Sequence, residues 1–192
     1  MKKLIVVAIV ICSSCILVAQ PTFRRVDTTM KLGKAGYKVS CKNTNEEKNY
    51  VTINPVGFKN TARDLGFDIK GRIIKTEVDD LNGDGFPDLV MYVHQPGPKQ
   101  AAAVIGIASV ENESYEAIGF PDIVDDPKLR TGYQGKDQYF LMEGNLMRRF
   151  PLFTADSIPT PTGMYRQVQY KVMREERGQR FKVVRTYDYA KQ

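Results

Sequence analysis

The chain has 192 residues, of which 42% are hydrophobic and 26% are charged. This size and composition predict one globular domain that buries its own core, and they exclude a small scaffold that depends on disulfides or metals as staples. The formal net charge of +6 at pH 7 is a mild excess that favours acidic partners and is not the footprint of a nucleic-acid-binding protein.

The N-terminus reads MKKLIVVAIVICSSCILVAQ, two lysines followed by an apolar run. The run is too short to span a bilayer comfortably, and it predicts a secretory signal peptide over residues 1–19 with a mature protein that starts at Gln20. Lipoprotein processing at Cys15, which would leave a lipid anchor, is the alternative. We therefore expect a periplasmic or secreted protein of a bacterial cell envelope, without a membrane span.

Short alternating runs bounded by Gly, Pro, Asn and Asp recur along the rest of the chain, and helical periodicity is scarce. This pattern predicts an all-β fold: a single domain over residues 20–192, built as an antiparallel β-sandwich or partly closed barrel with long connecting loops. The predicted strands are 36–41, 49–54, 70–78, 88–94, 102–110, 115–119, 138–142, 146–150, 165–173 and 180–187. Residues 120–137 and 151–164 are predicted to be the long connections.

Basic residues are concentrated between Arg166 and Arg185. Aromatic residues are scattered among them rather than interleaved, so this stretch is interpreted as a solvated charged face.

An acidic loop, DDLNGDGFPD at residues 79–88, places oxygen-bearing side chains at alternate positions around a glycine. This is the first part of an EF-hand-type calcium loop, in which alternating oxygens surround a hard cation and the glycine permits the sharp turn. The predicted calcium ligands are Asp80, Asn82, Asp84 and Asp88, with the backbone carbonyl of Phe86. No glutamate stands at the twelfth position, so the loop resembles the strand-loop-strand calcium loops of FG-GAP repeats. The alternative is a turn in which the Asp and Asn side chains bind backbone N–H groups and no ion.

A catalytic site is not expected. His94 is the only histidine, so no multi-histidine metal site can form, and known nucleophile and phosphate-binding motifs are missing from the sequence. Cys41 is interpreted as a small packing residue of a strand. We therefore predict a protein without enzymatic activity.

Four segments in order resemble the periplasmic inhibitor family of I-type (invertebrate) lysozyme. They are EVDDLNGDGFPDLVMYV, DDPKLRTGYQGKDQY, EGNLMRRFPLF and PTGMYRQVQYKV, which together span roughly the C-terminal two thirds of the chain. The resemblance implies a non-catalytic β-sandwich-like protein that occludes the active-site cleft of a lysozyme or similar cell-wall hydrolase.

In such inhibitors the contact loop carries a Ser-Gly-x-Tyr-like signature between two strands. The corresponding stretch here is HQPGPKQAAAV, which keeps the glycine and has neither the serine nor the tyrosine. The resemblance implies a partner-binding loop formed by His94, Gln95, Gly97, Lys99 and Gln100. Tyr133 and Tyr139 in the TGYQGKDQY stretch offer a second candidate surface, unless they pack inward. The alternative function is a calcium-stabilised cell-envelope module that binds a glycan or another surface partner.

Overall fold

The computed structural model describes residues 24–59, 62–97 and 101–190. The predicted leader and two residues of the predicted binding loop, Lys99 and Gln100, lie outside these ranges. The described strands are β1 (Val26–Leu32), β2 (Ala35–Cys41), β3 (Asn49–Val56), β4 (Leu65–Ile69), β5 (Arg72–Asp79), β6 (Asp88–His94), β7 (Ala102–Val110), β8 (Ser114–Gly119), β9 (Gln138–Met142), β10 (Asn145–Phe153), β11 (Pro161–Glu175) and β12 (Gly178–Ala190).

The strands form two sheets, and the predicted all-β class is confirmed. A four-stranded sheet has the order β1-β2-β3-β4, and an eight-stranded sheet has the order β5-β6-β7-β8-β12-β11-β10-β9. Neighbours are antiparallel except β8 and β12, which pair in parallel over Ile118 and Gly119. The eight-stranded sheet curls into a nearly closed barrel, which brings its two edge strands, β5 and β9, near each other. The backbone N–H of Leu141 in β9 donates to the Glu77 carboxylate of β5 at 3.3 Å.

Strand β6 lies between two hydrophobic cores, which explains its unbroken apolar sequence. Its Val90 and Tyr92 point into the barrel core, which also contains Phe150, Tyr170 and Phe181.

The alternate residues of β6, among them Leu89, Met91 and Val93, point the other way into a second core. There they meet Tyr37 and other residues of the four-stranded sheet, which packs on the β5–β7 wall of the barrel. The wall formed by β9–β12 therefore has one face in the barrel core and one facing outward.

Two strands were missing from the sequence prediction. Both β1 and β4 are outer strands of the small sheet, and their side chains alternate between partly buried and exposed with few deeply buried positions. Their apolar residues nevertheless alternate, as Leu65, Phe67 and Ile69 do in β4, so the pattern that predicts a strand was present. Half of the predicted connection 151–164 is also strand, because β10 extends to Phe153 and β11 starts at Pro161.

The connection 120–137 contains a single 3₁₀ turn and a short helix, α1 (Pro127–Arg130). Asp126 caps this helix, because its Oδ1 accepts hydrogen bonds from the backbone N–H groups of Lys128 and Leu129. Leu129 is buried against the barrel core. Within the described part of the chain, no helix is long and apolar enough to cross a membrane.

Candidate functional site

The predicted partner-binding loop connects β6 to β7 and is called the β6–β7 loop, residues 95–101. His94 ends β6 and pairs with Ala102 at the start of β7. The backbone N–H of Gln95 donates to the carbonyl of Ala101 at 2.9 Å, which closes the base of the loop. Gly97 has a φ of +126°, a conformation that side-chain-bearing residues rarely adopt. The structure thus brings three of the five predicted loop residues together at the end of β6.

A pocket of about 450 Å³ opens at the base of the β6–β7 loop. Its walls include Gln95, Ala101, Phe120, Tyr133, Tyr139 and Arg148. The pocket is a concavity beside the loop, of a size and largely apolar character that suit an inserted side chain.

A buried ion pair forms the floor of this region. Arg148 Nε donates to Asp137 Oδ1 at 2.8 Å, and the two side chains are 3% and 0% exposed. The Tyr133 hydroxyl donates to the other oxygen of Asp137 at 2.6 Å, and the backbone N–H of Ala102 donates to that oxygen at 3.3 Å. Because Ala102 begins β7, this network ties the chain after the β6–β7 loop to the segment between α1 and β9.

Aromatic rings surround the Arg148 guanidinium. Its central carbon lies 5.1 Å from the ring centre of Tyr133, 5.4 Å from that of Tyr139 and 5.4 Å from that of Phe150. Burial, reinforced by the Asp137 carboxylate, raises the pKa of Tyr133, so its hydroxyl stays protonated and remains a donor.

Tyr133 and Tyr139 therefore pack against the barrel core, where they are half-buried, and line the pocket beside the loop. Tyr139 stacks on Tyr92 of β6 with a ring separation of 5.9 Å and an interplanar angle of 8°. The ion pair between Asp137 and Arg148 was not predicted, although both residues lie in segments that carry the family resemblance, TGYQGKDQY and EGNLMRRFPLF. Those segments contain the acidic and the basic residue, but the sequence does not show which acidic residue pairs with which basic one.

The acidic loop lies at the opposite end of β6 from the β6–β7 loop. The Asp80 carboxylate binds the loop's own backbone, because it accepts from the N–H groups of Gly83, Asp84 and Gly85 at 2.8 to 3.1 Å. Asp84 accepts from the side-chain amide of Asn82 at 2.8 Å and from the N–H of Phe86 at 2.9 Å. These bonds form the self-supporting turn that was the alternative to a calcium site.

Asp88 is fully buried beneath the loop. Its two oxygens accept from the backbone N–H groups of Leu81 at 2.9 Å and Ser109 at 3.0 Å, so it links the acidic loop to the end of β7. Burial raises the pKa of Asp88 to about 7, outweighing the two N–H donors that favour its charged form, and the carboxylates of Asp84 and Asp80 add to the rise.

The calcium ligand set is only partly assembled. Asp80, Asn82 and Asp84 line the accessible side of the acidic loop, whereas Asp88 is engaged with two backbone donors underneath. In the described ranges, no group of three or more His, Cys, Asp or Glu side chains is placed to hold a metal ion. Asp80 Oδ2 and the two Asp84 oxygens each accept one hydrogen bond and keep a second lone pair, which is the kind of oxygen ligand that calcium takes. Calcium binding stays a prediction.

No protein-family model, no curated protein and no solved structure matches this chain.

Proposed function

We propose that the protein is a non-catalytic binding protein that engages a lysozyme or a similar cell-wall hydrolase through the β6–β7 loop. The observation that carries the proposal is the closure of this loop by the Gln95–Ala101 hydrogen bond at the end of β6, a strand buried on both faces. A base that is already fixed lowers the entropy cost of binding through the loop. The choice of a lysozyme as the partner comes from the four segments that resemble the I-type lysozyme inhibitor family and follow one another in the same order.

The chemistry of the loop suits a lysozyme cleft. Such a cleft carries two catalytic carboxylates that bind the sugar substrate. Lys99 lies between Gly97 and Ala101 and would bring an ammonium group to a carboxylate in a site from which water is excluded, where the attraction is stronger than in water. The pocket beside the loop would take a side chain from the rim of the cleft.

Titration of the purified protein against an I-type lysozyme tests the proposal, with C-type and G-type lysozymes in parallel. Lysis of cell walls and direct calorimetry are both measured, in calcium and in chelator. We expect saturable inhibition by the wild type and about tenfold weaker binding by Lys99→Ala. Lys34→Ala, an exposed lysine in the β1–β2 turn, is the matched control and should bind like the wild type.

A second variant tests the shape of the loop. Gly97→Ala adds a side chain at a φ of +126°, with no atom within 4 Å of the new Cβ, so it should distort the loop without disturbing the core. Weaker binding with an unchanged unfolding midpoint is expected. The proposed inhibition of lysozyme is refuted if the wild-type protein, at large excess, inhibits none of the three lysozymes. The assignment of the contact to the β6–β7 loop is refuted if Lys99→Ala and Gly97→Ala both inhibit as strongly as the wild type.

A further inference from the structure

The outward face of the β9–β12 wall carries a group of exposed and half-buried side chains that the proposed function does not use. We call it the tyrosine-arginine face and define it by Arg149, Tyr165, Gln167, Arg185, Tyr187 and Tyr189. Strand register places these residues side by side: Arg149 lies opposite Gln167, Gln167 opposite Tyr187, and Tyr165 opposite Tyr189. The other face of the same strands is buried in the barrel core through Phe150, Val168 and Tyr170, so these six side chains point outward.

Direct contacts hold the tyrosines in place. The Tyr165 and Tyr189 ring centres lie 6.0 Å apart, and those of Tyr187 and Tyr189 lie 6.1 Å apart. The rings are tilted by 31° and 42° to each other, which makes a shallow apolar platform and not a parallel slot. The side-chain amide of Gln167 donates to the Tyr187 hydroxyl at 2.6 Å and presents polar groups beside the platform.

The two arginines make the face positively charged. Arg185 lies over the Tyr187 ring at 5.5 Å, and Arg149 lies over the Phe140 ring at 5.9 Å. The sequence of β9–β12 contains two acidic residues, Glu175 and Asp188. Asp188 points to the opposite face.

Both of these carboxylates are neutralised by other cations. Asp188 forms a two-point ion pair with Arg166, with both N–O distances at 2.8 Å. Glu175 lies at the far end of β11 and pairs with Lys182. In the described part of the chain, neither Arg149 nor Arg185 forms an ion pair with a carboxylate, which favours an anionic ligand.

The dimensions argue for an extended polymer and against a globular protein. The six residues lie on three strands and in three residue rows, which cover about 10 Å by about 13 Å, on the order of 130 Å², from standard strand spacing. A stable protein–protein interface needs roughly 800 Å² from each partner. The face is too small for that, but it suits a few units of a chain molecule that lies flat on the sheet.

The spacing of the charges separates two kinds of anionic chain. From strand geometry the Cα atoms of Arg149 and Arg185 are about 12 Å apart, two strands across and two residues along. A nucleic-acid strand carries a phosphate at every nucleotide and is matched by closely spaced cations. Lys171 is the next outward cation on β11, and the Cα atoms of Arg149, Lys171 and Arg185 are about 8 to 14 Å apart from strand geometry. Three cations at this spacing, beside an aromatic platform and an amide, suit sugar rings, which have apolar C–H faces, hydroxyl edges and carboxylates on some units only.

We propose that the tyrosine-arginine face binds an acidic polysaccharide. This site is separate from the β6–β7 loop and goes beyond the proposed function. A protein that acts at a cell envelope would be held by it among acidic glycans while the loop remains available to a partner.

Affinity electrophoresis and calorimetry with polygalacturonate test the proposal, with dextran as the neutral probe and EDTA present to prevent calcium gels. The wild type should be retained by polygalacturonate and not by dextran, and retention should weaken as salt is added. Tyr187→Ala and Arg185→Ala should each weaken binding roughly five- to tenfold. Tyr50→Ala and Arg63→Ala remove an exposed tyrosine and an exposed arginine elsewhere and should bind like the wild type.

The outcomes separate this site from the proposed function. Lys99→Ala should bind polygalacturonate normally, and Tyr187→Ala should inhibit lysozyme normally. The inference is overturned if the wild type does not bind polygalacturonate, if it binds dextran equally well, or if Tyr187→Ala and Arg185→Ala match their controls. Tighter binding of oligodeoxythymidylate, lost in the same two variants, would reassign the face to single-stranded nucleic acid and also overturn it.

Discussion

Replacing Asp137 by alanine should destabilise the protein far more than the loss of an ordinary ion pair. The Asp137 carboxylate is fully buried and accepts from Arg148, from the Tyr133 hydroxyl and from the backbone N–H of Ala102. Asp137→Ala would leave the buried Arg148 guanidinium without its carboxylate partner and two further donors without their acceptor. Breaking a buried pair in this way costs about 3–5 kcal/mol, because the remaining charge is neither hydrated nor compensated.

Equilibrium unfolding in urea, followed by circular dichroism and tyrosine fluorescence, measures this loss. A domain of this size has a free energy of unfolding of roughly 5–15 kcal/mol, so a change of about 3–5 kcal/mol moves the midpoint clearly. The matched control is Asp68→Ala, which breaks an exposed pair with Lys48 at 2.9 Å and should cost at most about 1 kcal/mol. The double variant Asp137→Ala/Arg148→Met removes both charges and should recover part of the loss. Equal destabilisation by Asp137→Ala and Asp68→Ala would refute the structural role.

Four other perturbations have defined outcomes. Asn43→Ala removes side-chain hydrogen bonds to Arg24 and to both backbone groups of Ile73, and urea unfolding should report a loss of about 3 kcal/mol; a loss below about 1 kcal/mol would contradict this. Gly106→Ala places a Cβ 2.9 Å from Ile118 Cβ and 3.0 Å from Phe181 Cε2, so it should cost about 1–3 kcal/mol in the same assay, unlike Gly119→Ala, where the nearest atom to the new Cβ is 3.4 Å away. Because the pKa of Asp88 is about 7 in the folded state and near 4 in the unfolded chain, the folded protein keeps a proton that the unfolded chain loses. Stability in chelator should therefore fall as the pH rises from about 4 to about 7, and Asp88→Asn should flatten that part of the curve; an unchanged pH dependence would exclude this assignment. If the acidic loop binds calcium with a Kd near 10⁻⁵ M, 1 mM calcium should add about 2.7 kcal/mol of stability, and Asp84→Ala should abolish the gain; identical melting in calcium and EDTA would count against the ion.

Most strands could be predicted from the sequence, because apolar and polar residues alternate along a strand that has one buried face and one exposed face. The hairpin strand β11 alternates Val168, Tyr170 and Val172 with polar residues, and the structure buries those three positions. The long β11–β12 hairpin and the β9–β10 pair needed no long-range information. The edge strands β1 and β4 alternate as well, with Leu65, Phe67 and Ile69 on one side of β4, so the same pattern would have predicted them.

Long-range pairings could not be predicted. Nothing local indicates that Asp137 meets Arg148, or that Asp88 reaches Ser109 of β7, since each depends on how the sheet curls. The stretch from Arg166 to Arg185 was interpreted as a solvated face, and the structure divides it: Arg166 pairs with Asp188 on the side of α1, and Arg185 lies over Tyr187 on the outward side. The sequence shows that alternate residues of a strand point to opposite faces. Which residues of β12 share a face with those of β11 also depends on a register shift beside Gln169.

The positions of the two loops on β6 determine how calcium and a partner should influence each other. The acidic loop precedes Asp88 and the β6–β7 loop follows His94, so the whole strand, about 20 Å, separates them. Strand β6 is buried on both faces and packed against two cores, so we expect an ion at one end of it to leave the loop at the other end unchanged. Calcium should therefore change the unfolding free energy and leave the affinity for a lysozyme unchanged. A binding constant that differs between calcium and chelator, with the protein fully folded in both, would mean that the ion or the partner acts somewhere other than at these two loops.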